Sequence, residues 1–383
     1  MTASDPNRHV TVSCEPACRD LLFLRLRGTE ELGRLFEYRI DLLSESNDLH
    51  PSTLLGQDMA VAISLPSADG ERQINGIVTA FRIVAPGDRT RNRMARYEAV
   101  MRPRLWLLTR ASHSRFFHEM TVTDIVTKVL QDYHIDLSNK CTATYPTLAH
   151  CVQYRETDFE FVSRLMEREG IYYYFEHRGG EHTLVLTDSG DVHAPIEHYA
   201  TIPYDAWFEP SHEKECVYAW ASGAELQTGK YEVNDYDFEK PTSSNHQGLL
   251  SRATRPEVYD PAVYTMQEYL SGHVQSSDGD RYAKVGVEIR QARNDSIAGR
   301  STARGIWPGG LFKLRDHASD AQNHDYLVVS AEYEINSDVY VSTYGDGNGG
   351  ALPFFDCSFT ALRKENHFRA ERITPRPVVA GPQ

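Results

Sequence analysis

The run Thr157 to His177, TDFEFVSRLMEREGIYYYFEH, constrains the fold more than any other stretch of this chain. Thr157 and Glu160 form a T-x-x-E capping box: the hydroxyl accepts from the third helical amide, and the carboxylate reaches back to the cap amide. Phe159, Val162 and Met166 line one face of the helix that follows, and Phe161 and Leu165 widen it. Glu167, Arg168 and Glu169 are expected to face water on the last turn. Gly170 is placed to take the left-handed conformation that ends a helix. A strand comes next, with Ile171, Tyr173 and Phe175 on one side and Tyr172 and Tyr174 on the other. Gly179-Gly180 reads as a two-residue hairpin turn, and Thr183 to Leu186 returns. The segment is therefore helix, strand, hairpin, and its aromatics pack both faces of a small sheet.

Before this segment the pattern is β. Leu22 to Leu26 and Phe36 to Leu42 are strand-like, with a turn-like segment from Gly28 to Gly33. Met59 to Leu65 ends at Pro66, Asp69-Gly70 supplies a turn, and Gly76 to Ile83 runs on to Pro86-Gly87-Asp88. Arg89 to Arg96 reads as an exposed loop. Tyr97 to Leu108 resumes the alternation. Antiparallel strands joined by short turns suggest a sandwich or barrel. From Thr121 the period changes, and Ile125, Val126, Val129, Leu130 and Tyr133 fall at helical spacing. A loop is expected between that helix and Thr157.

The centre is mixed. Tyr231 to Phe238 alternates ahead of Lys240-Pro241, and a helix is expected from about Asp278 to Arg293. Then β returns, at Gly310 to Leu314, Tyr326 to Ile335 and Phe354 to Leu362. The glycine-rich Gly345 to Gly350 reads as a mobile hairpin loop. The proline-rich ITPRPVVAGPQ reads as an extended connector.

Two blocks look alike. Gly56 to Leu65, Ile77 to Ile83 and Tyr97 to Leu107 match in order Gly309 to Asp316, Val328 to Ile335 and Phe355 to Glu365. Each is strand, strand with a small residue before an aromatic, loop, strand carrying an arginine. Any two β-meanders share much of this, so the blocks suggest a duplication without proving one. If real, one chain carries two similar β units, and three chains would present six.

Composition narrows the partners. Over 383 residues the chain carries 40 Lys and Arg against 54 Asp and Glu, a net charge of −14, which repels phosphate backbones and argues against nucleic acid. Ser4 to Val12 is polar, unlike a signal peptide, and no apolar run reaches the ~18 residues that span a bilayer. Cys14, Cys18, Cys141, Cys151, Cys216 and Cys357 are scattered, and nothing completes a zinc set around Cys14 and Cys18.

Chemistry is sought and not found. His113 and His118, like His193 and His198, are five apart, which is not the i, i+4 helical spacing of a zinc pair. There is no G-x-S-x-G elbow and no phosphate-binding glycine pattern with a helix after it. Glu167, Glu169, Glu176 and His177 could suggest acid–base work, but a last helical turn is expected to be solvated, with nothing to raise the carboxyl pKa values. No catalytic, cofactor-binding or metal-binding residue is assigned.

The order of several motifs resembles the start of the VgrG family, the spike proteins of type VI secretion systems, also called Rhs-associated Vgr proteins. These are FEYRIDLLSE (Phe36 to Glu45), LLGQDMAV (Leu54 to Val61), GIVTAFR (Gly76 to Arg82), YEAVMRPRLWLL (Tyr97 to Leu108), Gln153 to His177, YDFEKP (Tyr236 to Pro241), Arg300 to Leu314 and Phe368 to Gln383. The resemblance implies a phage-baseplate-hub-like fold, α+β and mainly β. Two β-barrel-like domains are expected at 1–110 and 201–367. An α+β domain lies between them at 111–200, a helical insertion falls at about 250–300, and a connector runs over 368–383. It also implies a homotrimer with a pseudo-sixfold ring that meets the hexameric Hcp tube and baseplate components. An OB-fold and needle would follow the connector, with effectors and a PAAR tip reached only through them. The expected place is the cytoplasm on assembly, then outside the cell by type VI secretion. Two alternatives stay open: the hub of a phage or other contractile device, and an enzyme such as a cell-wall hydrolase using Glu167 and Glu169.

Overall fold

A computed structural model describes residues 9–14, 21–66, 70–88, 93–208, 214–236, 249–254, 264–269, 272–273, 275–337 and 354–378. The first part supplies β1 (Val10–Ser13), β2 (Leu22–Glu31), β3 (Glu37–Ser44), β4 (Asp58–Leu65), β5 (Gly70–Ala85) and β6 (Ala95–Arg102). They pair in the order β1-β4-β5-β6-β3-β2. Inward residues such as Leu26, Tyr38, Ile40, Val61, Ile74, Tyr97 and Met101 form its core. Cα atoms of β1 also approach β2, so the two ends of this half-sheet curl towards each other.

Next come β7 (Ser112–Met120), α1 (Val122–Gln131), β8 (Leu137–Asn139), β9 (Leu148–Thr157), α2 (Asp158–Glu169), β10 (Tyr172–Arg178) and β11 (Glu181–Thr187). α2 starts on the expected capping box, with both Thr157 and Glu160 bonds present, and ends at Gly170 with φ of 74°. Gly179 and Gly180 both take positive φ in the hairpin turn. The two faces of β10 serve two layers. Tyr173 and Phe175 join the core of the first half, where Phe175 meets Phe36 edge-on at 5.0 Å. Tyr172 and Tyr174 join Leu311, Leu327 and Phe368. One strand thus ties two β units to the helices.

The last part is β12 (Thr201–Pro203), β13 (Val217–Ala224), β14 (Lys230–Asn234), β15 (Ser251–Thr254), β16 (Thr265–Tyr269), α3 (Ser276–Asn294), β17 (Asp295–Ser301), β18 (Leu311–Arg315), β19 (Asp325–Asn336) and β20 (Phe355–Arg363). β14, β15 and β16 form a separate small sheet that packs on α3 through Tyr231, Val233, Tyr282 and Val287. The others continue the large sheet in the order β19-β20-β17-β13, with β18 beside β19 and β12 beside β18. A bridge between Tyr204 and Val217 brings the far ends of this half together.

The two halves repeat. In chain order β1, β2, β3, β4, β5 and β6 correspond to β12, β13, β17, β18, β19 and β20, and their neighbours correspond too. The irregularities coincide as well. The register slips after Val78 between β5 and β6, and after Val328 between β19 and β20. It slips after Phe23 between β2 and β3, and after Val217 between β13 and β17. Gly56 donates to the Val78 carbonyl at 2.8 Å while Val78 donates to Gln57, and Gly309 and Gly310 do the same with Val328. Bulges are features of a particular strand pairing rather than of β-sheets in general, so these coincidences carry more weight than the shared meander. One pairing differs: β1 is antiparallel to β4, whereas β12 is parallel to β18.

Several expectations need correction. Gly28 is not in a turn: β2 runs through it, and the turn falls at Leu32–Arg34. A Cβ at Gly28 would lie 2.1 Å from the ring of Tyr38 on the facing strand, so the glycine makes room for an aromatic. The strand from Tyr97 ends at Arg102, ahead of Pro103, and Arg104–Arg110 is a 3-10 turn. The interval before Thr157 holds β8 and β9 rather than a loop, and β7 pairs with β9 as a two-stranded ribbon. The C-terminal segment is not a loose connector over its first part. Phe368 and Ala370 are buried, and Arg369 donates to Glu288 at 2.8 Å and to the Gly170 carbonyl at 2.9 Å. Asp69, Phe238, Lys240-Pro241 and Gly345 to Gly350 lie outside the described residues.

Candidate assembly surface and buried polar clusters

The two halves join where β2 pairs antiparallel with the outer part of β19, from Glu31↔Ser330 to Asn336↔Arg25. Polar groups reinforce the seam. Arg72 of β5 donates to the carbonyls of Arg304 and Ile306 at 2.9 and 2.7 Å and to the Tyr333 hydroxyl at 2.9 Å. In return Arg304 donates to the Ser64 carbonyl at 2.6 Å. Glu30 lies beside Arg72, and burial pushes its carboxyl up to about 7 even though Arg72 and Tyr333 pull it down.

The repeat leaves two edges in matching positions. β19 holds β18 and β2 end to end on the side away from β20. On the equivalent side of β5, β4 covers Gly70–Ile77, and no described strand pairs with Ala80–Ala85. Ile83 and Val84 there are 48% and 44% exposed. β13, the counterpart of β2, pairs with β17 and leaves its outer edge open along Ala219–Ala224 among the described residues. An open strand edge presents unpaired N–H and C=O groups and is a template for another strand.

The exposed face of the seam is an open groove of about 630 Å³ lined by charges of both signs, including Arg27, Glu37, Arg39, Arg300, Glu334 and Asp356. Arg102 donates to Glu37 at 2.9 Å, and Arg25 pairs with Glu334 and Arg300 with Asp356.

The residues singled out for chemistry are not assembled. Glu167 and Glu169 are buried, not solvated. Burial raises both carboxyl pKa values, against the expectation that nothing would. They serve different neighbours: Glu167 accepts from Thr374 at 3.0 and 2.9 Å, and Glu169 from the Tyr282 hydroxyl at 3.0 Å with Arg281 at 2.8 Å. The correction has a simple cause. α3 and the C-terminal segment, both far along the chain, cover the last turn of α2. Glu176 takes Lys140 at 3.0 Å. His177 is largely covered, its ring accepts from the Asn75 amide at 3.0 Å, and desolvation holds it well below the usual histidine range. His193 is pushed down to about 4 by burial and meets the Tyr172 hydroxyl at 2.9 Å. His198 is exposed beside Glu197. Cys14 is buried and Cys18 lies outside the described residues; no disulfide forms among the described cysteines. No cluster of three or more metal-type ligands occurs among the described residues.

One buried charge escaped the sequence reading. Asp158, at the start of α2, accepts from His113 at 2.9 Å, Arg115 at 2.6 Å, Tyr133 at 2.6 Å and Gln153 at 2.7 Å. Burial alone would raise its pKa, but the bonds from Tyr133, Gln153 and His113 and the charge of Arg115 outweigh it and hold the carboxyl below its ordinary range. The pair His113–Asp158 has the form of an oriented base. The cleft above it, about 550 Å³, is lined by His113, Arg115, Phe116, Phe117, Lys128, Asp132 and Tyr133, a set without a serine, threonine or cysteine nucleophile. Asp158 instead locks α2, β7 and the end of α1 together. The signal available was Asp158 beside the cap, but its partners come from three other elements.

The chain thus combines a duplicated β unit, an α+β unit packed between the copies, and matched open edges among the described residues. Comparison with known proteins places this architecture. Residues 29–339 match the phage tail baseplate hub (GPD) family, and the chain belongs to that family. It is 38% identical over 98% of its length to the type VI secretion system spike protein VgrG1a of Pseudomonas aeruginosa, and 37% identical over its whole length to VgrG1b of the same organism. The chain spans 57% and 50% of those relatives, about half of each. The fold is shared with an Escherichia coli component of the type VI secretion system described as similar to the T4 tail proteins gp27 and gp5 (TM-score 0.69, 20% identity, 97% of this chain and 82% of that one). It is shared also with the 43 kDa tail protein of prophage MuSo2 from Shewanella oneidensis (TM-score 0.65, 12% identity, 94% and 100%).

Proposed function

We propose that three copies of this chain close into a ring of six β units, and that the ring is the hub of a type VI secretion spike, set between the Hcp tube and the puncturing needle. One observation carries the reading: among the described residues, the seam made by β2 and β19 inside the chain has an unfilled counterpart made by β13 and β5. A head-to-tail contact that repeats the internal seam turns each chain by the same angle as the seam turns each unit. Three chains of two units close a circle when each seam turns a unit by about a sixth of a turn. Domains at 1–110, 111–200 and 201–367 go with this reading, the helical insertion at about 250–300 taking in β15, β16 and α3.

The alternating charges over the seam suit a polar, reversible dock for a hexameric tube, because paired surface charges fix register and add little net affinity. Baseplate components would meet the same ring. Effectors and a PAAR tip would engage parts of the longer relatives that this chain does not match. The hub does no chemistry in this account, and it would be assembled in the cytoplasm and leave with the spike. The Vibrio cholerae actin cross-linking toxin VgrG1 is 26% identical over 91% of this chain, which spans 30% of that protein. Measuring the solution mass at tens of micromolar tests the proposal: three copies are expected, and a stable monomer or dimer rejects it.

A phage hub is the second reading, favoured by the likeness to the MuSo2 tail protein. Binding to purified Hcp rather than to a phage tube protein separates the two.

A further inference from the structure

The β7–β9 ribbon places His118 directly opposite His150 in its antiparallel register. The two residues are 32 positions apart in sequence, and both side chains are exposed. Their Nδ1 atoms face each other at 2.9 Å with the rings nearly perpendicular, at 86°. At that separation the two nitrogens share at most one hydrogen, since two protonated rings would point N–H groups at each other. Lone pairs converging from a fixed backbone register are a ready-made two-nitrogen clamp for a metal ion that takes the hydrogen's place.

Two nitrogens bound at about 2.0–2.1 Å lie ~2.9 Å apart if they subtend a right angle at the metal and ~3.3 Å apart if they subtend the tetrahedral angle. The 2.9 Å of the hydrogen-bonded pair is compatible with the right angle of Cu²⁺ and Ni²⁺, and the general affinity order of divalent ions sets Cu²⁺ above Zn²⁺ at imidazole nitrogen. No third histidine, cysteine or carboxylate joins the pair among the described residues, so water would complete the shell. We propose that His118 and His150 bind one divalent ion of the copper–nickel class, which cross-braces β7 to β9. Neither the trimer nor the secretion role is needed for this.

Titrating the whole chain with Cu²⁺, Ni²⁺ and Zn²⁺ in competition with a chromophoric chelator tests it. One Cu²⁺ per chain should bind at this pair, more tightly than Zn²⁺. His118→Ala and His150→Ala should each weaken it by about tenfold or more, while His198→Ala leaves it unchanged. The electron paramagnetic resonance spectrum of the Cu²⁺ form should show two imidazole nitrogens, and one or none in each variant. Both substitutions lie at exposed positions, so unchanged melting in the absence of metal will show that the variants fold. Copper binding that is absent, or that persists undiminished in both variants, overturns the proposal, and so does tighter binding of Zn²⁺ than of Cu²⁺.

Discussion

Arg72 and Arg304 reach across the seam between the two β units in opposite directions, each donating to main-chain carbonyls of the other unit. The pair ties β5 of the first unit to the segment ahead of β18 of the second, beside the β2–β19 ladder. Removing Arg72 takes the guanidinium from the Arg304 carbonyl, leaves Ile306 with the Tyr333 hydroxyl at 3.1 Å, and removes the charge beside Glu30. Arg72→Ala should therefore cost about 3–5 kcal/mol in denaturant unfolding. Arg72→Lys should recover only part of this, because an ammonium cannot serve two carbonyls and a hydroxyl in one plane.

The stability of the seam should depend on pH through Glu30. Its folded pKa of about 7 stands above its ordinary value of 4.5, so the folded state holds the proton more tightly than the unfolded chain. The contribution of Glu30 is then fully present below pH 4.5 and is lost as pH rises through about 7. His182 and His193, both pushed down to about 4 by burial, act oppositely and cost stability as pH falls from 6.5 towards 4. Comparison with Glu30→Gln isolates the carboxyl. The melting temperature of the variant, relative to the unsubstituted chain, should rise between pH 5 and pH 8. A constant difference would show that Glu30 does not titrate there.

Asp158 is the strongest test of the α+β unit. With its carboxylate deleted, Arg115, Tyr133 and Gln153 lose their common acceptor at the floor of the cleft. Asp158→Ala should cost about 3–5 kcal/mol by chemical denaturation, and a loss under 1 kcal/mol would mean that water replaces the carboxylate without strain.

Gly28 faces the ring of Tyr38 from β2, the strand of the first unit that forms the seam with β19. Gly28→Ala forces that ring aside in a packed core, with an expected cost of about 1–3 kcal/mol. Tyr38→Leu should relieve much of the penalty, and a double-mutant cycle measures the coupling.

Much of this architecture is legible locally. The Thr157 capping box, the left-handed Gly170, the glycine hairpin and the two-sided β10 all depend on neighbours within a few residues, and each forms as expected. The repeat was visible as two similar blocks, but what distinguishes it from any pair of meanders is the matching of bulges, and a bulge leaves little trace in sequence. The errors share a cause. Glu167 and Glu169 sit at a helix end that looks wet until residues from α3 and 374 close over it. The partners of Asp158 lie on β7, just past α1 and on β9, and the exposed face of β9 is largely polar, like a loop. The glycine at 28 resembles a turn residue in sequence because its aromatic partner stands on the next strand.

The central claim is that the edge of β13 meets the edge of β5 in a second copy as β2 meets β19 within one chain. Superposing the repeats through Val78 and Val328 and through the two β2-type bulges sets Ile83 opposite Ser222, the counterpart of Tyr333 opposite Gly28. Facing residues of an antiparallel pair lie about 4.5–5.5 Å apart at Cα, within the reach of a disulfide. The most direct measurement is mild oxidation of the chain carrying Ile83→Cys and Ser222→Cys, followed by mass determination without reductant. The expected product is a covalent species of three chains and no larger ladder, with neither single variant cross-linking. Failure to cross-link in a solution where the protein is shown to be trimeric would place the subunit contact elsewhere, and a ladder running past three would show an edge that pairs without closing a ring.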